Sequence, residues 1–288
     1  MKKHLLFLLI IIFYGCTESN LAFHPRSNPS SGTLELVQTF GGSKNDVAKS
    51  VISTVDGGFA VLGYTQSLDG DITDKATENY DFWMLKFDSE AQLEWNKTYG
   101  GSGDDRGSSL IETSDGGYAL LGYSDSSDGD VSSNNGNRDF WLVKINASGV
   151  LSWQKSFGYE GEDEGVSIIE TSDNHLMLSG VLDVTASGGE GNQGRFSTRH
   201  AGGDYWAIKI TPTGDIVWSR FYGGSFTDSP TGISETLIGG FINVGGSDSN
   251  DVDISNNKGS YDFWIVKSDR NGDIVWEKSF GGSEIDEA

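Results

Sequence analysis

Between Asp81 and Phe87 the chain reads Asp-Phe-Trp-Met-Leu-Lys-Phe. A β-strand turns successive side chains to opposite faces, so Asp81, Trp83, Leu85 and Phe87 share one face and Phe82, Met84 and Lys86 the other. Both faces are largely apolar, which predicts a strand in a sheet covered on both sides. The flanking residues extend the pattern. Val47 to Val55 is a mixed run that predicts a strand a, and Asp56-Gly57-Gly58 predicts a hairpin turn, because glycine tolerates the positive φ of tight turns. Phe59 to Tyr64, almost wholly apolar, predicts strand b; Asp81 to Phe87 is strand c and Leu93 to Tyr99 strand d. Elsewhere the c–d connection carries Gly-Asp turn chemistry, at Thr213-Gly214-Asp215 and Asn271-Gly272-Asp273. Outside the first residues no stretch repeats convincingly every 3.6 positions, and the chain reads as all-β.

This group of four strands recurs. All eight tryptophans fall in pairs 12 positions apart: Trp83/Trp95, Trp141/Trp153, Trp206/Trp218 and Trp264/Trp276. Aromatic-Gly junctions at Gly41, Gly100, Gly158, Gly223 and Gly281 are spaced 59, 58, 65 and 58 residues apart. A period near 60 is too long for most helical solenoids and fits a four-stranded blade of a β-propeller. The units run about 41–99, 100–157, 158–222 and 223–280, with the start of a fifth at 281–288. Residues 33–40 read as an isolated strand d, with Leu36 where Trp95 would be. The expected fold is therefore a β-propeller of about four full blades plus partial ones. Repeat logic leads to the expectation of a truncated product of a longer reading frame, since terminal repeats are normally capped; the alternative is a four-bladed ring in which residues 33–40 and 281–288 are spare.

The leader sets the compartment. Met1-Lys2-Lys3 is basic, Leu5 to Tyr14 is an unbroken apolar run, and Gly15-Cys16 follows. Ten apolar residues are too few to span a bilayer and suit a signal-peptide core. Gly15-Cys16 resembles the bacterial lipobox, in which the cysteine is lipidated and becomes the new N-terminus; Phe13-Tyr14 departs from the usual residues there. Residues 1–15 are thus expected to be a lipoprotein signal peptide and 16–32 the lipidated Cys16 and a polar tether. The expected location is the bacterial cell envelope, at the outer membrane or cell surface, with the membrane reached through the lipid at Cys16. Cys16 is the only cysteine, which excludes disulfides and thiol chemistry in the repeats. The net charge of −22 argues against nucleic-acid binding.

The Tyr-Gly-Gly-Ser-x-x-Asp, Thr-Ser-Asp-Gly-Gly-Tyr, Ser-x-Asp-Gly-Asp and Asp-Phe-Trp-x-x-Lys segments resemble a repeat of surface and secreted proteins of Bacteroidota, similar to the delta-60 type of β-propeller. Gly214-Asp-Ile-Val-Trp218 also resembles the docking repeat of quinoprotein propellers, but that fit is confined to strand d and does not point to a quinone cofactor. The resemblance covers residues 33–288 and implies architecture. Some relatives carry an endoglucanase-like label.

Two groups of residues are candidate sites. Asp69 and Asp71, Asp128 and Asp130, and Asp251 and Asp253 recur in the b–c loops, near Asp46, Asp105, Asp163, Asp228 and Asp286 of the d–a junctions. In a propeller these loops share a face, so an acidic ring is expected there. It is readable as a calcium site, since hard cations take oxygen ligands, or as turn capping. The b–c loop of the third unit is longer and brings Arg195, Phe196, Arg199 and His200 to that rim, a candidate ligand patch. Lys86, Lys144, Lys209 and Lys267 recur in every strand c and read as ion-pairing scaffold. The paired tryptophans read as core between blades, the alternative being a platform on which sugars stack.

No Ser-His-Asp grammar, zinc spacing or phosphate loop appears. The expected function is a non-catalytic, envelope-anchored binding module for a glycan or protein ligand, with calcium the one candidate cofactor. The alternatives are a carbohydrate-active hydrolase using loop carboxylates and a structural spacer.

Overall fold

The computed structural model describes residues 37–191 and 200–286. Contacts divide the chain into Met1–Thr39 and Phe40–Ala288, and every strand among the described residues lies in the second unit. In the first unit, residues 37–39 are described and have no regular secondary structure.

Phe40–Ala288 is a β-propeller assembly of four-stranded blades. The first blade contains β1 (Asp46–Ser53), β2 (Phe59–Thr65), β3 (Asp81–Phe87) and β4 (Leu93–Tyr99). The second contains β5 (Asp105–Glu112), β6 (Tyr118–Ser124), β7 (Asp139–Ile145) and β8 (Leu151–Phe157). The third contains β9 (Glu164–Glu170), β10 (Leu176–Asp183), β11 (Gly203–Ile210) and β12 (Ile216–Tyr222), with a one-turn helix α1 (Val184–Ser187) after β10. The fourth contains β13 (Asp228–Glu235), β14 (Phe241–Ser247), β15 (Asp262–Ser268) and β16 (Ile274–Phe280). Each sheet is an antiparallel meander in chain order. In all four first strands the register skips one residue, at Lys49, Ser108, Val166 and Thr231, a bulge that increases local twist.

The third strands β3 and β7 are buried along their whole length, and β11 at every residue but Gly203, as two covered faces require. In β15, Phe263 and Ile265 are only half-buried. Blades pack in chain order, first on second, second on third and third on fourth; no comparable packing joins the first to the fourth among the described residues.

Each junction uses one device. The aromatic before the Trp of one blade meets the Trp of the next: Phe82 with Trp141 at 4.7 Å, Phe140 with Trp206 at 4.8 Å and Tyr205 with Trp264 at 4.8 Å. These edge-on and tilted arrangements suit the quadrupoles of the rings. Beside each receiving Trp stands a glycine of the second strand: Gly122, Gly180 and Gly245 pair with Trp141, Trp206 and Trp264. A Cβ on Gly122 would lie 2.8 Å from Phe82 Cζ, on Gly180 2.5 Å from Phe140 Cζ, and on Gly245 2.6 Å from Tyr205 Oη. The missing side chain is the space that the incoming ring occupies.

The strand-d tryptophans do a second job. Trp95, Trp153 and Trp218 lie over the turn glycines Gly149, Gly214 and Gly272 of the following blade. Tyr99 and Tyr222 donate to the carbonyls of Gly149 and Gly272, each at 2.7 Å.

Candidate functional site

On the loop face, three successive backbone N–H groups of the Gly-Gly-Ser turns at 41–43, 100–102 and 223–225 are held by three different carboxylates. In the first unit Gly41 donates to Asp71 (2.8 Å), Gly42 to Asp46 (2.8 Å) and Ser43 to Asp69 (2.7 Å). In the second Gly100 donates to Asp130 (3.2 Å), Gly101 to Asp105 (2.7 Å) and Ser102 to Asp128 (2.7 Å). In the fourth Gly223 donates to Asp253 (3.5 Å), Gly224 to Asp228 (2.8 Å) and Ser225 to Asp251 (2.9 Å). A turn cannot supply strand partners for these donors, and a carboxylate supplies a charge-assisted one. The six residues expected to form a calcium site are thus each engaged by a backbone amide. No group of three or more His, Cys, Asp or Glu side chains suited to a metal ion occurs among the described residues. The third unit lacks the Asp-x-Asp pair, and there Asp163 accepts from Tyr159 and Asp183 N–H, both at 2.8 Å.

Three of the d–a aspartates, Asp105, Asp163 and Asp228, are buried and lie near the aspartates at the start of the third strands. A Cβ on Gly100 would fall 2.6 Å from Asp105 Oδ2 and 2.7 Å from Asp81 Cγ, and one on Gly223 2.5 Å from both Asp204 Cγ and Asp228 Oδ2. Burial, followed by the neighbouring carboxylate, pushes Asp105 and Asp163 up to about 7. Burial raises Asp228 to about 6, against bonds from Ser247, Gly224 and Ser249. Asp105 Oδ1 and Asp228 Oδ1 accept from no donor among the described residues, as suits carboxyls whose hold on a proton is raised by burial.

His200 is placed in this layer rather than on the surface. Its side chain is only 3% exposed; Nδ1 lies 2.5 Å from Asp204 Oδ2, and Nε2 3.9 Å from Asp253. The ring stands edge-on to Phe221 at 4.8 Å. Burial opposes the imidazolium, but the bond to Asp204 outweighs it and holds His200 above its ordinary value. In the other units the equivalent aspartates take Lys75 Nζ (Asp81), Asn135 N–H (Asp139) and Lys258 N–H (Asp262), each at 2.8 Å. His200 is therefore the third unit's version of a structural cap. Arg195, Phe196 and Arg199, expected to share its patch, lie outside the described residues, as does Cys16.

The opposite face is organised by the strand-c lysines. Lys86 Nζ donates to Asp56 (2.7 Å), Glu94 (2.9 Å) and the Phe87 carbonyl (2.9 Å). Lys144 meets Asp115 at 2.9 Å and Lys209 meets Asp173 at 2.7 Å. Lys267 meets no acid in its turn; it donates to Thr236 and to the carbonyls of Gly239 and Ser268, and burial lowers its pKa. Across each junction a glutamate at the end of strand a accepts from the previous a–b turn: Glu112 from Val55 N–H (2.8 Å), Glu170 from Ser114 N–H (2.8 Å) and Glu235 from Ser172 N–H (2.6 Å).

One place on this face breaks the repeat. Between the first and second blades lies a hollow of about 530 Å³ lined by Trp95, Tyr118, Glu94, Glu112, Asp56, Lys86, Ala147 and Ser148. Trp95 and Tyr118 stand edge-on, 6.2 Å apart at 67°. At the next junction the equivalent hollow is about 120 Å³ and has Pro212 and Leu176 in the places of Ala147 and Tyr118. At the third junction the turn carries Arg270, whose carbonyl accepts from Trp218 Nε1 at 3.0 Å, and Trp218 is buried. The open junction has Ala147 and Gly116 where the next has Pro212 and Asn174. Its chemistry is two aromatic edges flanked by three carboxylates and an ammonium. Sugar C–H faces stack on such rings while hydroxyls bond to the charged groups. Sequence reasoning favoured core over sugar stacking for all the tryptophans and passed over this hollow; the signal was the Ala147, Pro212, Arg270 series at one turn position.

A second hollow, of about 300 Å³, lies on the loop face beside Asp74, Lys75, Asp81, Thr98 and Asp128. Its groups serve one another: Lys75 bonds Asp81 at 2.8 Å, and Asp74 accepts from Thr98 N–H at 3.2 Å and Oγ1 at 3.0 Å.

No family model matches the chain, and no curated protein matches it. Among solved structures it is similar to a protein of unknown function from Bacteroides caccae, with 11% identity, 81% of each chain covered and a TM-score of 0.38.

Proposed function

We propose that this chain is a non-catalytic binding module for a hydroxyl-rich ligand of the glycan class, carried on a bacterial cell envelope by a lipid at Cys16. The observation that carries the ligand reading is the non-repeated hollow at Trp95 and Tyr118, opened by Ala147 where the next turn has Pro212. A ligand site has to differ from its symmetry mates, and here an aromatic pair with polar rims is open at one junction only among those described. The leader supports the envelope reading: a basic start, a ten-residue apolar core and Gly15-Cys16. Calcium has no necessary part, since the loop-face carboxylates serve backbone amides.

Affinity electrophoresis through gels cast with soluble polysaccharides tests this reading. The full chain is expected to be retarded by at least one of them. Ala147→Pro, which grafts the neighbouring turn residue, is expected to abolish the retardation without unfolding the protein. Equal retardation of both proteins would refute the site.

A further inference from the structure

The first junction departs from the other two at Val55, Glu94 and Tyr118, and all three line the Trp95 hollow. At each junction a glutamate ends strand a and accepts from the previous a–b turn. Glu170 is bonded through both oxygens, Oε2 by Ser114 N–H at 2.8 Å and Oε1 by Ser114 Oγ at 2.7 Å. Glu235 is held the same way by Ser172, at 2.6 Å and 2.8 Å. At the first junction the turn residue is Val55, which has the amide but no hydroxyl. Glu112 Oε2 takes the Val55 N–H at 2.8 Å, and Oε1 has no donor among the described residues.

Glu94 is a second departure. The other blades carry Ser152, Val217 and Val275 at its place in strand d. Lys144 and Lys209 keep their turn aspartates without such a glutamate, so the scaffold does not require it. Glu94 Oε2 accepts from Lys86 at 2.9 Å, its Oε1 has no donor among the described residues, and its side chain is 44% exposed. Tyr118 stands where the next blades have Leu176 and Phe241. Its ring is buried, and its hydroxyl bonds no group among the described residues.

Beside the half-buried Trp95, three carboxylates (Asp56, Glu94 and Glu112) therefore face one ammonium, Lys86, which Asp56 and Glu94 already share. The surplus groups are acceptors only and negative. Sugar hydroxyls supply donors and leave the charge unanswered. A ligand ammonium supplies both, and an aromatic ring attracts it further. A sugar acid meets the same surplus as repulsion. We propose that the sugar taken by this hollow carries a free amine, whose ammonium is bonded by Glu94 Oε1 and Glu112 Oε1 beside Trp95; this rests on the glycan reading of the same hollow.

The test is calorimetric titration of the full chain with hexasaccharides of one β-1,4 backbone that differ only at the second carbon: glucosamine, N-acetylglucosamine and glucose. The wild type is expected to bind the glucosamine hexamer about tenfold more tightly than the other two. A net charge of −22 attracts any cation, so the deciding readout is a pair of local variants. Val55→Ser leaves the charge unchanged and supplies the hydroxyl that occupies Oε1 at the other junctions; Glu94→Gln removes one charge. Each is expected to weaken glucosamine binding about fivefold and to leave the glucose hexamer unaffected. A preference that survives both substitutions is bulk attraction and overturns the proposal. Equal affinity for all three hexamers, or tighter binding of the acetylated or neutral one, overturns it and leaves the glycan reading standing. Failure of the glycan reading looks different: no hexamer binds and no polysaccharide retards the chain. A lysine homopolymer that binds in a Glu94-dependent way, with no binding of the glucosamine hexamer, assigns the hollow to a peptide and overturns both.

Discussion

The ring of Phe82 lies edge-on to Trp141, centroids 4.7 Å apart at 65°, and its tip occupies the gap left by Gly122. Two residues 59 positions apart in sequence thereby fix the distance and angle between two blades. The relationship explains why an aromatic precedes every Trp of the third strands and why a glycine faces each Trp from the second strand.

Gly122→Ala is expected to destabilise the protein by about 3 kcal/mol or more, because the added methyl cannot be absorbed by a rotamer change. It would lie 2.0 Å from the Arg106 carbonyl oxygen and 2.8 Å from Phe82 Cζ. Gly116→Ala, with nothing within 4 Å of its Cβ, is expected to cost only about 1 kcal/mol for its positive φ. Urea denaturation of the two variants checks the contrast.

Stability is expected to rise on mild acidification. Asp105 and Asp163 are raised to about 7 and Asp228 to about 6 by burial, whereas unfolded aspartates titrate near ~4. Between these values the folded chain holds protons that the unfolded chain has released, so stability falls as pH rises through the window. At Asp115 burial opposes ionisation, but bonds from Thr113 and Lys144 outweigh it and draw the carboxyl down to about 2. That contribution is lost as pH falls from ~4 toward 2. The Tm is therefore expected to climb from about pH 8 to about pH 5 and to drop below about pH 4. Asp105→Asn should shrink the climb and leave the protein no less stable above about pH 7, since an amide keeps the Gly101 and Ser126 bonds without a charge.

Lys86→Met is expected to cost about 1–3 kcal/mol, because Asp56, Glu94 and the Phe87 carbonyl lose one shared donor. Lys267→Met is expected to cost less, since no acid faces Lys267 in its turn and burial already disfavours its charge. Thermal denaturation of both variants in parallel distinguishes the two roles.

Calcium and a chelator are expected to leave the Tm of the wild type unchanged, as the Asp69/Asp71, Asp128/Asp130 and Asp251/Asp253 carboxylates already bond Gly and Ser amides. A calcium-dependent rise in Tm would return these residues to a metal-binding role.

The repeat made the fold legible. Strands c and d of the first unit were read at their observed limits, and strand b within one residue, because period-2 alternation and turn glycines mark both ends. Strand a starts at Asp46, one residue before the first apolar position, since its carboxylate anchors the Gly42 amide. The site was less legible. His200 lies in a long polar loop, which reads as exposed, yet the fold buries it against Asp204 four residues on. The Trp95 hollow depends on what a turn 52 residues downstream fails to cover, and such an absence has no local pattern.

The central claim, that the Trp95 hollow binds a glycan without cleaving it, is tested most directly by one titration. A polysaccharide that retards the wild type is added to wild type and to Ala147→Pro, and bound ligand and new reducing ends are measured in the same samples. The account predicts saturable binding by the wild type, at least tenfold weaker binding by the variant, and no new reducing ends from either. Release of reducing ends by the wild type, or equal affinity in the two proteins, would contradict it.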